Sequence, residues 1–365
     1  MAEHVRVGVV GTSWFADILH LPSLASHPHA EISAICGRNR DRAEEVARKY
    51  AIPHVFTDYR EMIASGMLDA LIVITPDALH YPITMAALDA GLHVLCEKAL
   101  ALTAAHAKEM YVKAEAGGRK HMTFFTSRWL PPYRYLHHLI EQGYIGRCYH
   151  CHLRQEGGYG REASYGWRFD RQHGNGILGD LGSHLIDLAR WNIGEVAKVS
   201  GHLATFVERP GVDGQPLDAA NDAALVALEF ANGAHGTIHV SAVAHVGDRG
   251  QDTRVAFYGD SGSLELDFTF SGTELRGLRQ GEEHWQILEI PDDLWQGVDR
   301  TASFIEQVFG VFQTQSVGDR LFIDSILEDR SVSPSFDDGW KAQEVIDAAI
   351  ASHEQGRWVD VPTTA

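Results

Sequence analysis

The chain has 365 residues, a formal net charge of −18 and 45% apolar residues. That length holds two domains with sizeable cores, and the strong negative charge repels nucleic acid and anionic membranes over long range. Four cysteines (Cys36, Cys96, Cys148, Cys151) make no disulfide framework, no stretch is long and apolar enough to span a membrane, and the first residues carry no signal core, so a cytoplasmic protein is expected.

Short apolar runs open the chain: Val5 to Val10, Glu31 to Cys36, Leu68 to Thr75, Leu92 to Cys96 and His121 to Phe125. Helical patterns lie between them, at Trp14 to Leu24, Arg40 to Tyr50, Tyr81 to Ala90 and Ala104 to Ala116. Runs of that length alternating with helices predict parallel strands joined by crossover helices, a doubly wound Rossmann sheet over residues 1–126. Past residue 126 the rhythm changes. Pro131-Pro132 opens a helix ending near Gly143. Strand-like runs follow at Ala223 to Phe230, Ala234 to Val243, Arg254 to Phe257 and Ser263 to Phe268, separated by turn signals such as Ala231-Asn232-Gly233. Residues 127–338 are therefore expected to form an α+β domain with a large, mostly antiparallel open sheet covered by helices on one face. Pro210 to Asn221 reads as a long mobile loop.

The first turn, Gly11-Thr12-Ser13-Trp14-Phe15-Ala16, follows one strand and opens a helix. A dinucleotide site needs a tight turn there, with backbone amides facing the pyrophosphate. Gly11 and Ala16 fit the G-x-G-x-x-G/A pattern, and Ser13 replaces its middle glycine. The second strand ends in Cys36-Gly37-Arg38, where an NAD site usually carries an acidic residue. A guanidinium suits a 2′-phosphate, so Arg38 favours NADP, with NAD possible.

Asp180 and His184 stand four residues apart at the start of a predicted helix, on one face. A carboxylate and an imidazole placed together suit proton transfer, although that spacing also fits a surface ion pair. Just upstream, Glu156 to Trp167 brings Tyr159, Arg161, Tyr165 and Trp167, either a set able to stack on a sugar and bond its hydroxyls or an ordinary loop with one core Trp. Cys148-Tyr149-His150-Cys151-His152 suggests a metal cluster, but no second ligand pair exists and a strand would turn Cys151 away from the others, so no metal is expected. His137-His138 reads as a solvated helix face.

Cys96-Glu97-Lys98-Ala99 closes another predicted parallel strand, the end that lines the ligand crevice in open α/β sheets. This segment, the first turn with His20-Leu21-Pro22, Thr75-Pro76-Asp77 with His80, and Gly174 to His184 with Asp187 and Trp191 together resemble the glucose–fructose oxidoreductase / inositol dehydrogenase (Gfo/Idh/MocA) family. The resemblance spans nearly the whole chain. It implies that Lys98 is the active-site lysine and that Asp180 and His184 are the catalytic pair. It implies cofactor contacts from Gly11, Thr12, Ser13, Trp14, Phe15, Thr75, Pro76, His80, Glu97, Lys98, Arg128, Trp167 and Arg168. Lys98, Arg128, Tyr159, Trp167, Asp180 and His184 are expected to face the substrate. Ala99 stands where the family carries proline, and a trans Lys98–Ala99 bond is expected, or a strained one if cis survives, because a non-proline cis bond costs about 2.5–4 kcal/mol.

The expected enzyme transfers a hydride between nicotinamide and a secondary alcohol of a sugar, cyclitol or related polyol. His184 serves as base, Asp180 orients, and the Lys98 ammonium steadies developing alkoxide charge. A dehydrogenase of a non-sugar cyclic diol and a non-catalytic NAD(P)-sensing regulator are the alternatives. The family's architecture also implies that helix 339–356 packs back on the first domain, and that the open sheet makes a homodimer or homotetramer.

Overall fold

The short apolar runs of the N-terminal third become strands because their side chains are buried on both sheet faces. The computed structural model describes residues 4–362. Strands β1 (Val5–Val10), β2 (Ala30–Cys36), β3 (His54–Phe56), β4 (Ala70–Val73), β5 (His93–Glu97) and β6 (His121–Phe124) form one parallel sheet in the order β3-β2-β1-β4-β5-β6. Every residue of β4 and β6 is buried, as is expected of a sheet covered on both sides. The strand order reverses direction between β1 and β4, the switch point where open α/β sheets bind ligands. Among residues 4–126, β3 and the helix Tyr59–Ala64 have no counterpart in the expected elements. Both are too short to carry a periodic signal.

The second sheet has nine strands. They are β7 (Cys148–Gly157), β8 (Val196–Ala204), β9 (Ala223–Phe230), β10 (His235–Ser241), β11 (Gln251–Gly259), β12 (Gly262–Thr269), β13 (Gly272–Arg279), β14 (Gln286–Ile287) and β15 (Val359–Asp360). Their order is β14-β13-β12-β11-β7-β10-β9-β8-β15, with β7 and β10 parallel and the other pairs antiparallel. In β7, Cys151, Leu153 and Gln155 are buried, while His150, His152 and Arg154 share the other face. The helices Pro131–Glu141 and Ser183–Ile193 pack on the buried face, against β12, β13 and β7. The expected loop is pinned: buried Arg209 pairs with buried Asp222 at 3.3 Å, and bridges join Pro210 to Pro216 and Asp170 to Ala219. His137 is also not simply solvated, since its ring stacks on Trp191 at 3.6 Å and its Nδ1 donates to Asn192 Oδ1.

By contacts the chain divides into unit 1 (Met1–Phe125 with Phe309–Trp340) and unit 2 (Thr126–Val308 with Lys341–Ala365). The expectation had given 127–338 to the second domain and helix 339–356 to the first. Instead, residues 309–340 join unit 1, where Phe336 and Trp340 enter its apolar core. The helix Phe336–Gln355 stays with unit 1 only through Trp340. Its later turns lie on β8, whose Gly201 has no room for a Cβ beside the Ala349 carbonyl (2.4 Å) and donates its amide to Ser352 Oγ at 2.9 Å. The chain then ends by adding β15 to β8.

Candidate active site

The candidate residues form two groups, one in each unit. In unit 1, β1 runs into Gly11 at φ +127°, where a Cβ would lie 2.1 Å from the Ile74 carbonyl oxygen. Only glycine fits there, and its amide donates to Cys36 O at 2.9 Å. Ser13 does not point idly at solvent: its Oγ accepts the Ala16 amide at 3.3 Å and so caps the first helix. Thr12 and Phe15 are half-buried, whereas Trp14 is 68% exposed. Arg38 follows β2 on the surface. A glycine turn at the switch point, a helix start beside it and a surface guanidinium after β2 fit a nicotinamide dinucleotide.

At the end of β5, Lys98 is half-buried and its neighbours are buried. The Lys98–Ala99 peptide is cis, against the trans expectation. Tertiary contacts hold it: Ala99 is buried, and its carbonyl oxygen lies 2.8 Å from His80 Nδ1. His80 Nε2 lies 2.9 Å from the Thr75 carbonyl, so His80 is fully buried between two backbone oxygens and not directed at a ligand. Burial lowers its pKa from the ordinary value. Thr75 and Pro76 are partly exposed beside it, as a cofactor-lining segment requires.

His20 was noted in the sequence only as part of a motif. It is fully buried, with Nδ1 2.9 Å from Asp319 and Nε2 3.0 Å from Glu97. Burial pushes its pKa down, but the Asp319 and Glu97 carboxylates outweigh that and raise it to about 9. The second Glu97 oxygen accepts the Lys98 amide at 3.1 Å. Asp319 lies 299 residues from His20, and no spacing rule could have paired them.

In unit 2, the motif Gly174 to His184 builds a helix start from distant parts. Gly176 has φ +66° and no room for a Cβ beside the Asn221 oxygen. The Asn221 side chain accepts the Leu178 amide and donates to Asn175 O, both at 2.9 Å. Asp180 then sits in a π-helical turn, Leu178–Gly182, that runs into the α-helix carrying His184. Such wide turns often mark functional sites. From Gly176 to Arg190 every residue is buried except Asp180 and His184. This argues against a surface ion pair, because the two polar side chains are the openings in an otherwise closed wall.

Tyr159 donates to Asp180 Oδ2 at 2.6 Å, and Arg168 Nε lies 2.9 Å from the same oxygen. Burial of its hydroxyl end and the adjacent Asp180 carboxylate raise the Tyr159 pKa well above its ordinary value, so it acts as donor. The Arg168 guanidinium also lies over the Trp167 ring at 4.4 Å. Arg168 thus meets Asp180, a contact the resemblance did not include. Arg128 is buried and paired with Asp187 through two bonds of 2.8 and 2.6 Å, over Trp191. The pairing with Asp187 uses two of the five guanidinium N–H donors and fixes the orientation of the group. Glu156 does not join Tyr159; it lies near Arg154 and His239 on the open sheet face. Tyr165 bonds Asp170 and Arg161 the Val243 carbonyl. Among the described residues no group of three or more His, Cys, Asp and Glu side chains is placed to hold a metal.

Residues 5–125 match the family model described as an oxidoreductase family, NAD-binding Rossmann fold, and residues 137–361 match its C-terminal alpha/beta domain. The chain belongs to the Gfo/Idh/MocA oxidoreductase family. Levoglucosan dehydrogenase of Pseudarthrobacter phenanthrenivorans is 30% identical over 368 residues, covering 90% of this chain and 89% of that protein. The scyllo-inositol 2-dehydrogenase (NADP(+)) of Bacillus subtilis is 30% identical over 214 residues, 58% of this chain and 64% of that one. A solved levoglucosan dehydrogenase in complex with NADH superposes with a TM-score of 0.88 at 27% identity, covering 99% of this chain and all of that one. As a Gfo/Idh/MocA oxidoreductase, the protein is an NAD(P)-dependent enzyme acting on alcohols.

Proposed function

We propose that this oxidoreductase interconverts a secondary alcohol of a sugar, cyclitol or related polyol with its ketone, using NADP in preference to NAD. The observation that carries the reading is the Asp180–His184 wall, two polar openings in a buried helix, with Asp180 held by Tyr159 and Arg168. The dinucleotide supplies the hydride acceptor or donor when bound. Gly11, Thr12, Ser13, Trp14, Phe15 and Arg38 hold it at the first turn, with Thr75, Pro76, Glu97 and Lys98 lining the strand ends. His184 accepts the hydroxyl proton in oxidation and returns it in reduction. Asp180, clamped by Tyr159 and Arg168, orients the hydroxyl. The Lys98 ammonium steadies the developing alkoxide and can relay a proton. Trp167 offers an aromatic face to sugar C–H groups.

The relatives named above are dehydrogenases of levoglucosan and scyllo-inositol, which supports a ring-shaped polyol. Arg38 supports NADP, and its surface position after β2 leaves it open to a 2′-phosphate. All four cysteines are free thiols, which suits a reducing cytoplasm. The sheet face opposite the helices carries Leu225, about half exposed, beside His239 and Arg154, and supports assembly into a homodimer or homotetramer. The test is nicotinamide absorbance against a panel of sugars, anhydrosugars and inositols with each cofactor. Turnover confined to non-ring diols would refute the substrate class.

A further inference from the structure

The Lys98 segment is bracketed by two buried histidines in opposite electrical settings. His80 faces two neutral backbone carbonyls. His20 faces two carboxylates, one on each ring nitrogen. Ionised carboxylates only accept hydrogen bonds, and two of them on one ring supply both the acceptors and the negative charge that suit an imidazole protonated on both nitrogens, whereas the carbonyls on His80 supply acceptors without charge. Phe15 and Phe124 lie against the ring at centroid distances of 5.6 and 4.3 Å. Glu97 from β5 and Asp319, at the first residue of the helix Asp319–Leu327, are the ionisable groups on its nitrogens.

We propose that His20, as a buried cation, is the positioning residue that fixes Glu97 and, through Glu97, the main chain of Lys98. This role rests on Glu97 and Lys98 lining the cofactor site. The chain of contacts is Asp319 Oδ1 to His20 Nδ1, His20 Nε2 to Glu97 Oε1, and Glu97 Oε2 to the Lys98 amide. With both oxygens engaged, the Glu97 side chain has one placement instead of several rotamers. Without the cation, Glu97 and Asp319 would be two buried carboxylates lacking a counter-charge, and Glu97 would turn toward water. The sequence motif His20-Leu21-Pro22 then has a physical purpose: its histidine lies in the π-helical turn Ala16–His20 and reaches inward to the end of β5.

The test uses the full chain labelled with 15N-histidine, without substrate. Ring nitrogen shifts are followed from pH 6 to 10, and the His20 signal is assigned by its loss in His20→Gln. The expected wild-type ring is protonated on both nitrogens at pH 8, where an ordinary histidine is neutral, and Asp319→Asn moves its midpoint to lower pH. Binding of NADH and NADPH is measured by fluorescence, and both variants are expected to bind about tenfold more weakly. A His20 ring with one bare nitrogen at pH 7.5 overturns the proposal. So does unchanged dinucleotide affinity in Asp319→Asn, the milder variant that keeps the packing if His20→Gln does not fold. Neither readout involves alcohol turnover, so a wrong substrate class leaves the result intact, and a neutral His20 leaves the alcohol chemistry standing.

Discussion

Histidine shows how surroundings decide what a side chain does. His20 and His80 are both fully buried, yet carboxylates raise one and desolvation lowers the other. The raised His20 value has a consequence for stability. A group whose folded pKa lies above its unfolded value contributes stability that is complete below the unfolded value, here about 6.5, and is lost as pH rises through about 9. Chemical denaturation of wild type should therefore show a loss of stability between those values, and His20→Gln should flatten it. For catalysis, Lys98→Met and His184→Ala should each lower turnover by about 10²–10⁴-fold while dinucleotide still binds. Stopped-flow turnover with a fluorescence binding assay checks both, and wild-type turnover in both variants would sink the assignment. Tyr159→Phe removes one donor from Asp180 and should reduce kcat/KM by about tenfold with little change in melting temperature. Lys98, Asp180 and His184 stand out as candidates in the sequence because their motifs are local. Asp319 was not, because its partner is fixed by packing alone.

Two of the helices that carry candidate site residues contain a π-helical turn, at Ala16–His20 and at Leu178–Gly182. Periodicity predicted two helices and could not predict the extra residue in each. The second turn depends on Asn221, which arrives from the loop before β9 to cap the Leu178 amide. Asn221→Ala should cost about 1–3 kcal/mol, since it leaves buried backbone groups unpaired, and should lower turnover by displacing Asp180. Gly11→Ala should be worse, because a Cβ there meets the Ile74 carbonyl. Loss of about 2 kcal/mol or more in a urea melt, with loss of dinucleotide binding, is the expected outcome.

For the whole molecule, the questions are which dinucleotide it selects and how it assembles. Arg38→Ala should reduce the NADP-to-NAD ratio of kcat/KM by about tenfold or more, and an unchanged ratio would remove Arg38 from that role. Leu225→Asp should shift the mass measured by light scattering toward the monomer if the open sheet face is the subunit interface. The path of the chain was the least legible feature at this scale. Residues 309–340 return to unit 1, placing Asp319 beside His20, Phe336 and Trp340 in the core, and Gly339 against Thr123.

Local patterns determined the parallel sheet, the glycine turn after β1, the lysine at the end of β5 and the Asp180–His184 spacing, because each depends on neighbours a few residues away. Only the folded structure decided which groups those residues meet. It placed Arg168 and Tyr159 on Asp180, closed Arg128 onto Asp187, and held Lys98–Ala99 in the cis form beside His80. It also charged His20 by bringing Asp319 to it. Charge state, rotamer and peptide geometry follow from contacts across tens to hundreds of residues, where desolvation and hydrogen bonding outweigh local preference.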